Sequence, residues 1–244
     1  MNNTIGIIGY GKLGHAIAGR AEEVGHRVLV SDDEKHNQEI VRESGIVTLC
    51  IKPDKIFEVA NQIRDSLNGT KVLSFLAATP LAKLKGSLGT KNVQRAMTTL
   101  GLDCISCTQG DADITELCRE LTRGKLISTA DESQVDLFTA GVGCLPGIAA
   151  WWYKNHQKNA DEWLRKWADF VRSELIGVDQ ELLMRIIKEA KEKGEYDETI
   201  QRVKTPNGIT EAMIKALEKD SFAKFEEILS SAMERTKEIA GRNT

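Results

Sequence analysis

Short apolar runs alternate with helical stretches through the first half of the chain. The apolar runs, each three to six residues long, occupy 4–8, 27–30, 46–51, 72–76, 93–97 and 126–128. Between them, residues 12–24 and 56–67 carry apolar side chains at the spacing of an amphipathic helix, and another short helix is predicted before 93–97. Strands that alternate with helices of this length indicate βαβ units, so the pattern predicts a doubly wound parallel sheet.

The pattern changes after about residue 129, where only helical periodicity remains. Ser133 followed by Asp136 resembles a capping box that opens a long helix towards Tyr153. Further apolar faces occur in 161–175, 181–192 and 222–239, and another helix is predicted for 211–218. We therefore predict an α/β protein with a Rossmann-type sheet in residues 1–128 and an all-helical domain in residues 129–244.

Composition narrows the function classes. The 244 residues carry a net charge of −3 without a basic stripe, which argues against a nucleic-acid or anionic-membrane partner. No apolar stretch reaches about 18 residues and the N-terminus does not resemble a signal, so we expect a cytoplasmic protein without a membrane segment. Cys104 and Cys107 form a lone pair three residues apart. Without further ligands nearby we interpret them as buried thiols and predict no metal site.

A glycine-rich loop follows the first predicted strand and opens the first predicted helix. It reads Gly9-Tyr10-Gly11-Lys12-Leu13-Gly14, in the context that a dinucleotide-binding fingerprint requires. Gly9 permits a tight turn, Gly11 lets the backbone approach a pyrophosphate and Gly14 lets helix and strand pack closely. The helix N-terminus offers N–H groups to the phosphates. We therefore assign dinucleotide binding to residues 1–128, the alternative being a glycine-rich turn without a ligand.

The end of the second predicted strand bears on the choice of cofactor. Ser31 and Asp32 stand there, and Asp32 lies 18 residues after Gly14, near the usual position of the carboxylate that binds the ribose hydroxyls of NAD. A 2′-phosphate would meet like charge at this position. Lys35 and His36 follow closely and weaken the distinction. The sequence predicts NAD(P)H, with NADH favoured.

Several segments, in order along nearly the whole chain, resemble the pyrroline-5-carboxylate reductase family. They are Ile51-Lys52-Pro53-Asp54 (V-K-P in the family), 73–78 (S-x-x-A-G), 95–97 (R-x-M-P-N), 140–143 (G-S-G-P-A) and 203–210 (V-T-S-P-G-G-T-T). The resemblance implies a Rossmann domain followed by a helical domain that dimerises by interleaving helices. It also implies that Ile51, Lys52, Pro53 and Ala77 lie beside the cofactor. The implied reaction is the reduction of 1-pyrroline-5-carboxylate to proline, the last step of proline biosynthesis.

The departures from the family pattern lie mostly in its substrate half. Thr98 and Thr99 replace the Pro and Asn of the third segment, Val142 and Cys144 replace a Ser and a Pro in the fourth, and Asn207 and Ile209 replace a Gly and a Thr in the last. These changes leave open an altered imine or keto substrate. They also leave open a protein that has lost its activity.

Residues 205–210 are the predicted substrate site. This turn leads into a helix, whose N-terminal N–H groups suit the carboxylate of a cyclic imine. The predicted contacts are Thr205, Asn207, Gly208, Ile209 and Thr210, with Thr210 as the catalytic hydroxyl and Thr205 as the second choice. A protonated C=N bond is already electrophilic, so the enzyme needs mainly to orient it against the nicotinamide. The alternative is a turn that only caps its helix.

Two other functions compete with imine reduction. The β-hydroxyacid dehydrogenases carry a Lys about one turn after a glycine pair, but no Lys follows Gly141 and Gly143 until Lys154. A nucleotide-binding regulatory or sensor protein could have kept the cofactor loop while its substrate loops diverged. Lys52 is interpreted as a phosphate contact or a surface charge, and His15 as a surface or packing residue.

The helical half is rich in large apolar side chains. Trp151, Trp152, Tyr153, Trp163 and Trp167 recur at helical spacing, which favours a core or a dimer interface over a substrate-stacking box. Several apolar helix faces in so short a segment favour burial against a partner. We predict a homodimer formed through the C-terminal helices.

Overall fold

Seven strands form one sheet in the part of the chain that the computed structural model describes, residues 4–31 and 36–241. The strands are β1 (Thr4–Ile8), β2 (Arg27–Ser31), β3 (Ile46–Leu49), β4 (Lys71–Ser74), β5 (Val93–Thr98), β6 (Cys104–Thr108) and β7 (Lys125–Thr129). Their order in the sheet is β2-β1-β3-β4-β5-β6-β7. The predicted Rossmann-type α/β fold is confirmed.

One pair of strands departs from the expected parallel arrangement. β5 and β6 pair antiparallel, with Met97 opposite Ser106, whereas all the other neighbours are parallel. Only residues 99–103 connect these two strands, and a parallel crossover needs a dozen residues or more. The chain therefore turns back directly, and β7 then pairs parallel with β6.

The helices follow the strands and then continue alone to the end of the described chain. They are α1 (Lys12–Glu23), α2 (Asn37–Glu43), α3 (Ile56–Ile63), α4 (Leu81–Leu88), α5 (Ala112–Leu121), α6 (Ser133–Phe138), α7 (Leu145–Asn155), α8 (Ala160–Glu174), α9 (Gln180–Lys193), α10 (Tyr196–Val203), α11 (Ile209–Lys219) and α12 (Phe225–Gly241). Short 3₁₀ turns occupy Pro53–Lys55 and Arg64–Ser66, and a π-helical turn, Thr139–Gly143, joins α6 to α7.

Two apolar layers cover the two faces of the sheet. Ile7 and Leu73 pack with α1 and α5 in one layer, and Ile8 and Val72 pack with α2, α3 and α4 in the other. The alternation follows from strand geometry, because successive side chains point to opposite faces. Helices on both faces make the sheet doubly wound, as the sequence pattern predicts.

The chain divides into two compact units, Met1–Val135 with Ile239–Thr244 and Asp136–Glu238. The first unit contains the sheet, and the second contains the helices from α7 to α11. The sequence change near residue 129 marks the end of β7, whereas the compact units divide inside α6. The start of α6 also differs from the expected capping box, since Asp131 accepts hydrogen bonds from both the N–H and the hydroxyl of Ser133.

Aromatic side chains form the core of the second unit. Trp152 stacks on Trp163 with ring centroids 4.3 Å apart, and Trp163 stacks on Trp167 at 5.6 Å. Phe225 closes the cluster edge-on against Trp163 and Trp167. All three tryptophans are buried. The interpretation of these residues as core is confirmed.

One helical segment has the length and composition of a membrane span. Residues Ser133–Asn155 include an apolar window that is 78% buried inside the structure. Helices in a protein core are apolar for the same reason that membrane helices are, because water does not reach them. The burial of this segment within the protein accounts for its apolar composition.

Candidate active site

The glycine loop follows β1, and two of its glycines are required by the protein itself. Gly9 has a φ of +96°, and a Cβ added to it would lie 2.8 Å from the backbone of Cys50. A Cβ on Gly14 would lie far inside contact distance of the Gly9 carbonyl oxygen. Close packing of the loop against its own helix therefore excludes a side chain at both positions.

Gly11 is different, because nothing in the described chain lies within 4 Å of a Cβ placed there. Its φ of −77° suits any residue. The backbone N–H groups of Leu13 and Gly14, which face out of the first turn of α1, have no acceptor among the described residues. Open space beside unpaired N–H groups fits a pyrophosphate. The fold itself therefore does not require a glycine at position 11.

The other predicted cofactor residues stand at the same edge of the sheet. The Gly9 N–H donates to the Ser31 carbonyl at 2.8 Å, which joins the ends of β1 and β2. Ile51 to Pro53 follow β3, which lies next to β1, and Ala77 follows β4, which lies next to β3. Ligands of open α/β sheets bind at this carboxyl edge. Asp32, on which the preference for NADH depends, lies outside the described residues.

Three side chains at this edge are exposed. Lys52 and Lys12 lie at the surface, and Tyr10 is 37% exposed. The Tyr10 hydroxyl lies 3.0 Å from Nδ1 of His15, and the two rings meet edge to face. His15 is exposed, as expected, but its contact with the cofactor loop was not predicted.

The predicted substrate turn lies in the second unit. Thr205, Pro206 and Asn207 are exposed. Asn207 has a φ of 57°, a left-handed conformation that Asn tolerates better than most residues and that glycine adopts freely. The turn closes through the Gly208 N–H, which donates to the Thr205 carbonyl at 2.8 Å.

The turn caps helix α11 only in part. The Asn207 N–H donates to Glu211 Oε2 at 2.6 Å, and this bond is the main reason that the pKa of Glu211 is lowered. The N–H groups of Ile209 and Thr210 have no acceptor in the described chain. The segment is therefore a helix cap, as the alternative interpretation held, and it also leaves two donors for an anion.

Thr210 is more enclosed than the sequence suggests. It is 7% exposed, and its hydroxyl donates to Cys144 Sγ at 3.2 Å and approaches the Val203 carbonyl at 3.5 Å. Burial raises the pKa of the Cys144 thiol to about 11, although the bond from Thr210 works in the opposite direction. The pairing joins residues 66 positions apart, so no local sequence signal could have predicted it.

The substituted threonines of the third family segment serve the local fold. The Thr98 hydroxyl donates to the Cys104 carbonyl at 2.8 Å, and the Thr99 hydroxyl donates to Asp103 Oδ2 at 2.6 Å. Both side chains are buried. They therefore hold the short connection between β5 and β6.

Other chemistry has little support within the described chain. No group of three or more His, Cys, Asp or Glu side chains there could hold a metal ion. A cavity of about 590 Å³ opens among α7, α10 and α11, but none of the predicted site residues lines it. Lys154 stands at this cavity and forms an exposed ion pair with Asp197 at 2.5 Å.

Comparison with known proteins gives matches to oxidoreductases. A family model described as NADP oxidoreductase, coenzyme F420-dependent, matches residues 4–78. The pyrroline-5-carboxylate reductase of Pseudomonas aeruginosa is 27% identical over 231 residues, which cover 86% of this chain and 80% of that protein. The chain is therefore similar to a pyrroline-5-carboxylate reductase over most of its length.

Solved structures of pyrroline-5-carboxylate reductases share the fold. The pyrroline carboxylate reductase of Plasmodium falciparum, solved with NADP bound, is 18% identical, with a TM-score of 0.59 and coverage of 99% of this chain and 98% of that one. The enzyme of Streptococcus pyogenes is 19% identical, with a TM-score of 0.58 and coverage of 96% and 98%. The match to an oxidoreductase family model and the similarity to a reductase make the present protein an NAD(P)H-dependent oxidoreductase.

Proposed function

We propose that the protein reduces the C=N bond of a cyclic imine carboxylate, with 1-pyrroline-5-carboxylate as its substrate and proline as the product. NAD(P)H, when bound, supplies the hydride. The imine is protonated before the transfer, so the hydride reaches an electrophilic carbon and the ring nitrogen becomes an amine. The protein therefore needs mainly to bind and orient the imine and to exclude other molecules from the site. Neither task requires a metal ion.

The observation that carries the proposal is the N-terminus of α11. Two unpaired N–H groups, those of Ile209 and Thr210, stand beside the Thr210 hydroxyl. A carboxylate bound by these N–H groups gains from the helix dipole as well as from the hydrogen bonds. In 1-pyrroline-5-carboxylate the ring carbon that carries the carboxylate is bonded directly to the ring nitrogen. A bound ring would therefore have its nitrogen within reach of the Thr210 hydroxyl.

The cofactor would be held by the glycine loop. The open space beside Gly11 and the unpaired N–H groups of Leu13 and Gly14 suit the pyrophosphate. Ile51, Lys52, Pro53 and Ala77 would line its approach along the same edge. We propose NADH as the preferred form because of the position of Asp32 in the sequence. We also propose that the protein acts in the cytoplasm.

The test is oxidation of NADH and of NADPH by the purified protein with 1-pyrroline-5-carboxylate. Six-membered cyclic imine acids serve as the comparison for ring size. Turnover supports the reductase, and the ratio of kcat/KM for the two cofactors tests the role given to Asp32. Tight cofactor binding without turnover of any imine would contradict the proposal and favour the regulatory protein.

Two threonine variants locate the substrate within the turn. Thr210→Val removes one hydroxyl at nearly constant volume, and we expect kcat/KM to fall about ten- to a hundredfold because a hydrogen bond to a charged group is lost. Thr205→Val removes an exposed hydroxyl in the same turn and should change kcat/KM by less than about twofold. The reverse ranking would place the ring nitrogen at Thr205.

A further inference from the structure

The Thr210 hydroxyl is surrounded by groups that accept its hydrogen. The Val203 carbonyl, at 3.5 Å, has no hydrogen to give. The same hydroxyl donates a hydrogen bond to the Cys144 sulfur at 3.2 Å. With its hydrogen drawn towards these two acceptors, the oxygen keeps its lone pairs for a third partner.

The surroundings hold Thr210 in this orientation. A Cβ added to Gly147 would lie 3.0 Å from the Thr210 methyl and 2.6 Å from a methyl of Val203, so α7 approaches both residues as closely as a glycine allows. Cys144 stands just before α7, where its N–H donates to the Thr139 carbonyl at 3.0 Å and ends the π-helical turn. Single π turns inside helices are frequent at functional sites. The methyl and the hydroxyl of Thr210 are therefore fixed from two sides.

We propose that Cys144 is a positioning residue, which accepts a hydrogen bond from the Thr210 hydroxyl so that Thr210 meets its ligand as a hydrogen-bond acceptor. Such a hydroxyl selects a ring that carries an N–H, as a protonated imine or a cyclic amine does, over a ring that offers only an acceptor. The inference rests on the proposed function and specifies how its site recognises the ring nitrogen.

Cys144 is one of the departures from the family pattern. The family carries Pro at this position, and a proline side chain has no atom that can accept a hydrogen bond from the hydroxyl. Burial keeps the Cys144 thiol neutral, since its pKa is raised to about 11. The sulfur therefore orients the hydroxyl without placing a negative charge near the ring nitrogen.

The test compares two ligands of the same shape that differ at one ring atom. Proline donates from its ring nitrogen, whereas tetrahydrofuran-2-carboxylate has an acceptor-only ring oxygen. Their dissociation constants are measured by calorimetry with the oxidised cofactor bound. The wild-type protein should prefer proline, and Cys144→Ala should reduce that preference about two- to tenfold because the hydroxyl can then rotate to donate. Cys144→Ser, which restores an acceptor at nearly the volume of alanine, should recover it.

Two controls separate positioning from packing. Cys104→Ala removes another fully buried thiol, in β6 of the first unit, and should leave the ligand preference unchanged. In a Thr210→Val background, Cys144→Ala should have no further effect on the preference, since a residue that acts through the hydroxyl is silent without it. Thermal unfolding of each variant shows whether the protein remains folded.

The contact also has a signature that does not depend on any ligand. The S–H stretching band of Cys144, obtained as the infrared difference between the wild type and Cys144→Ala, should shift when Thr210 becomes Val. An unchanged ligand preference in folded Cys144→Ala overturns the proposal even if the reductase turns over its imine. If neither ring ligand binds, the proposed function is overturned, and so is the role of Cys144 in ligand recognition. A shifted S–H band would in that case show only that Thr210 and Cys144 are hydrogen-bonded.

Discussion

Gly11 and Gly14 belong to the same loop, and the reasons for a glycine differ between them. At Gly14 an added methyl group would collide with the Gly9 carbonyl oxygen, whereas at Gly11 it would enter open space. The fold thus depends on one glycine and, in our proposal, cofactor binding depends on the other. The glycine motif alone does not distinguish packing from cofactor binding, whereas the space around each glycine does.

This difference gives a matched pair of variants. Gly11→Ala should fold with a Tm within a few degrees of the wild type, because its φ of −77° is open to alanine, and should weaken NADH and NADPH binding at least about tenfold by blocking the pyrophosphate. Gly14→Ala should lose both stability and binding, since the loop must move. Cofactor fluorescence titration and thermal unfolding measure the two effects. Wild-type affinity in Gly11→Ala would show that the phosphates do not approach this loop.

Some roles of single residues could be predicted from the sequence, and others could not. The roles of Gly9 and Gly14 follow from local spacing along the chain, so they were predictable. The pairing of Thr210 with Cys144 depends on how α7 and α11 pack, and a tertiary contact of this kind leaves no periodic trace. Thr210 could be selected from the family resemblance, but its enclosure and the direction of its hydrogen bond could not.

At the scale of elements, periodicity predicted the long helices and the central strands, and it missed three short helices. Helices α2 and α10 are seven and eight residues long with few buried positions, too few to define a period. Helix α5 did carry a start signal that was overlooked. Asp111 caps it by accepting hydrogen bonds from the N–H groups of Asp113 and Ile114. The antiparallel direction of β6 follows from the short connection between β5 and β6. Its length could be counted only once the exact ends of both strands were known.

The Asp111 cap gives a prediction about stability and pH. Burial opposes the charge of Asp111, but the hydrogen bonds from Lys71 and from the helix N–H groups outweigh it and lower the pKa of the carboxyl. The charged form therefore stabilises the fold above the unfolded pKa of about 3.9, and this stabilisation is lost as the pH falls through the lower, folded value. Asp111→Ala should reduce the free energy of unfolding at pH 7 by about 1 kcal/mol.

The control for this cap is Asp111→Asn, which keeps a capping oxygen and loses the charge. It should cost less than Asp111→Ala at pH 7, and the difference between Asp111→Asn and the wild type should shrink in acid. Urea unfolding at pH 7 and at pH 3 measures both. A difference that grows as the pH falls would contradict the assigned direction of the shift.

At the scale of the whole molecule, the similarity to pyrroline-5-carboxylate reductases and the fold agree, while the assembly stays a prediction. Burial accounts for the tryptophans within one chain, so they no longer argue for a partner. Large apolar side chains still face outward in the second unit, where Ile176 is 76% exposed and Phe222 is 67% exposed. Isolated exposed residues are common on monomers, and the case for a homodimer therefore needs a direct measurement.

We predict that sedimentation velocity gives a particle of twice the 27.0 kDa chain mass, and that Tm rises with protein concentration because association stabilises the folded state. Ile176→Ser and Phe222→Ser should shift the protein towards the monomer if the C-terminal helices form the interface. Phe57→Ser, which changes an exposed aromatic residue in α3 of the first unit, should leave the mass unchanged. A monomer at all concentrations would contradict the dimer, and dissociation by Phe57→Ser alone would move the interface to the sheet-containing unit.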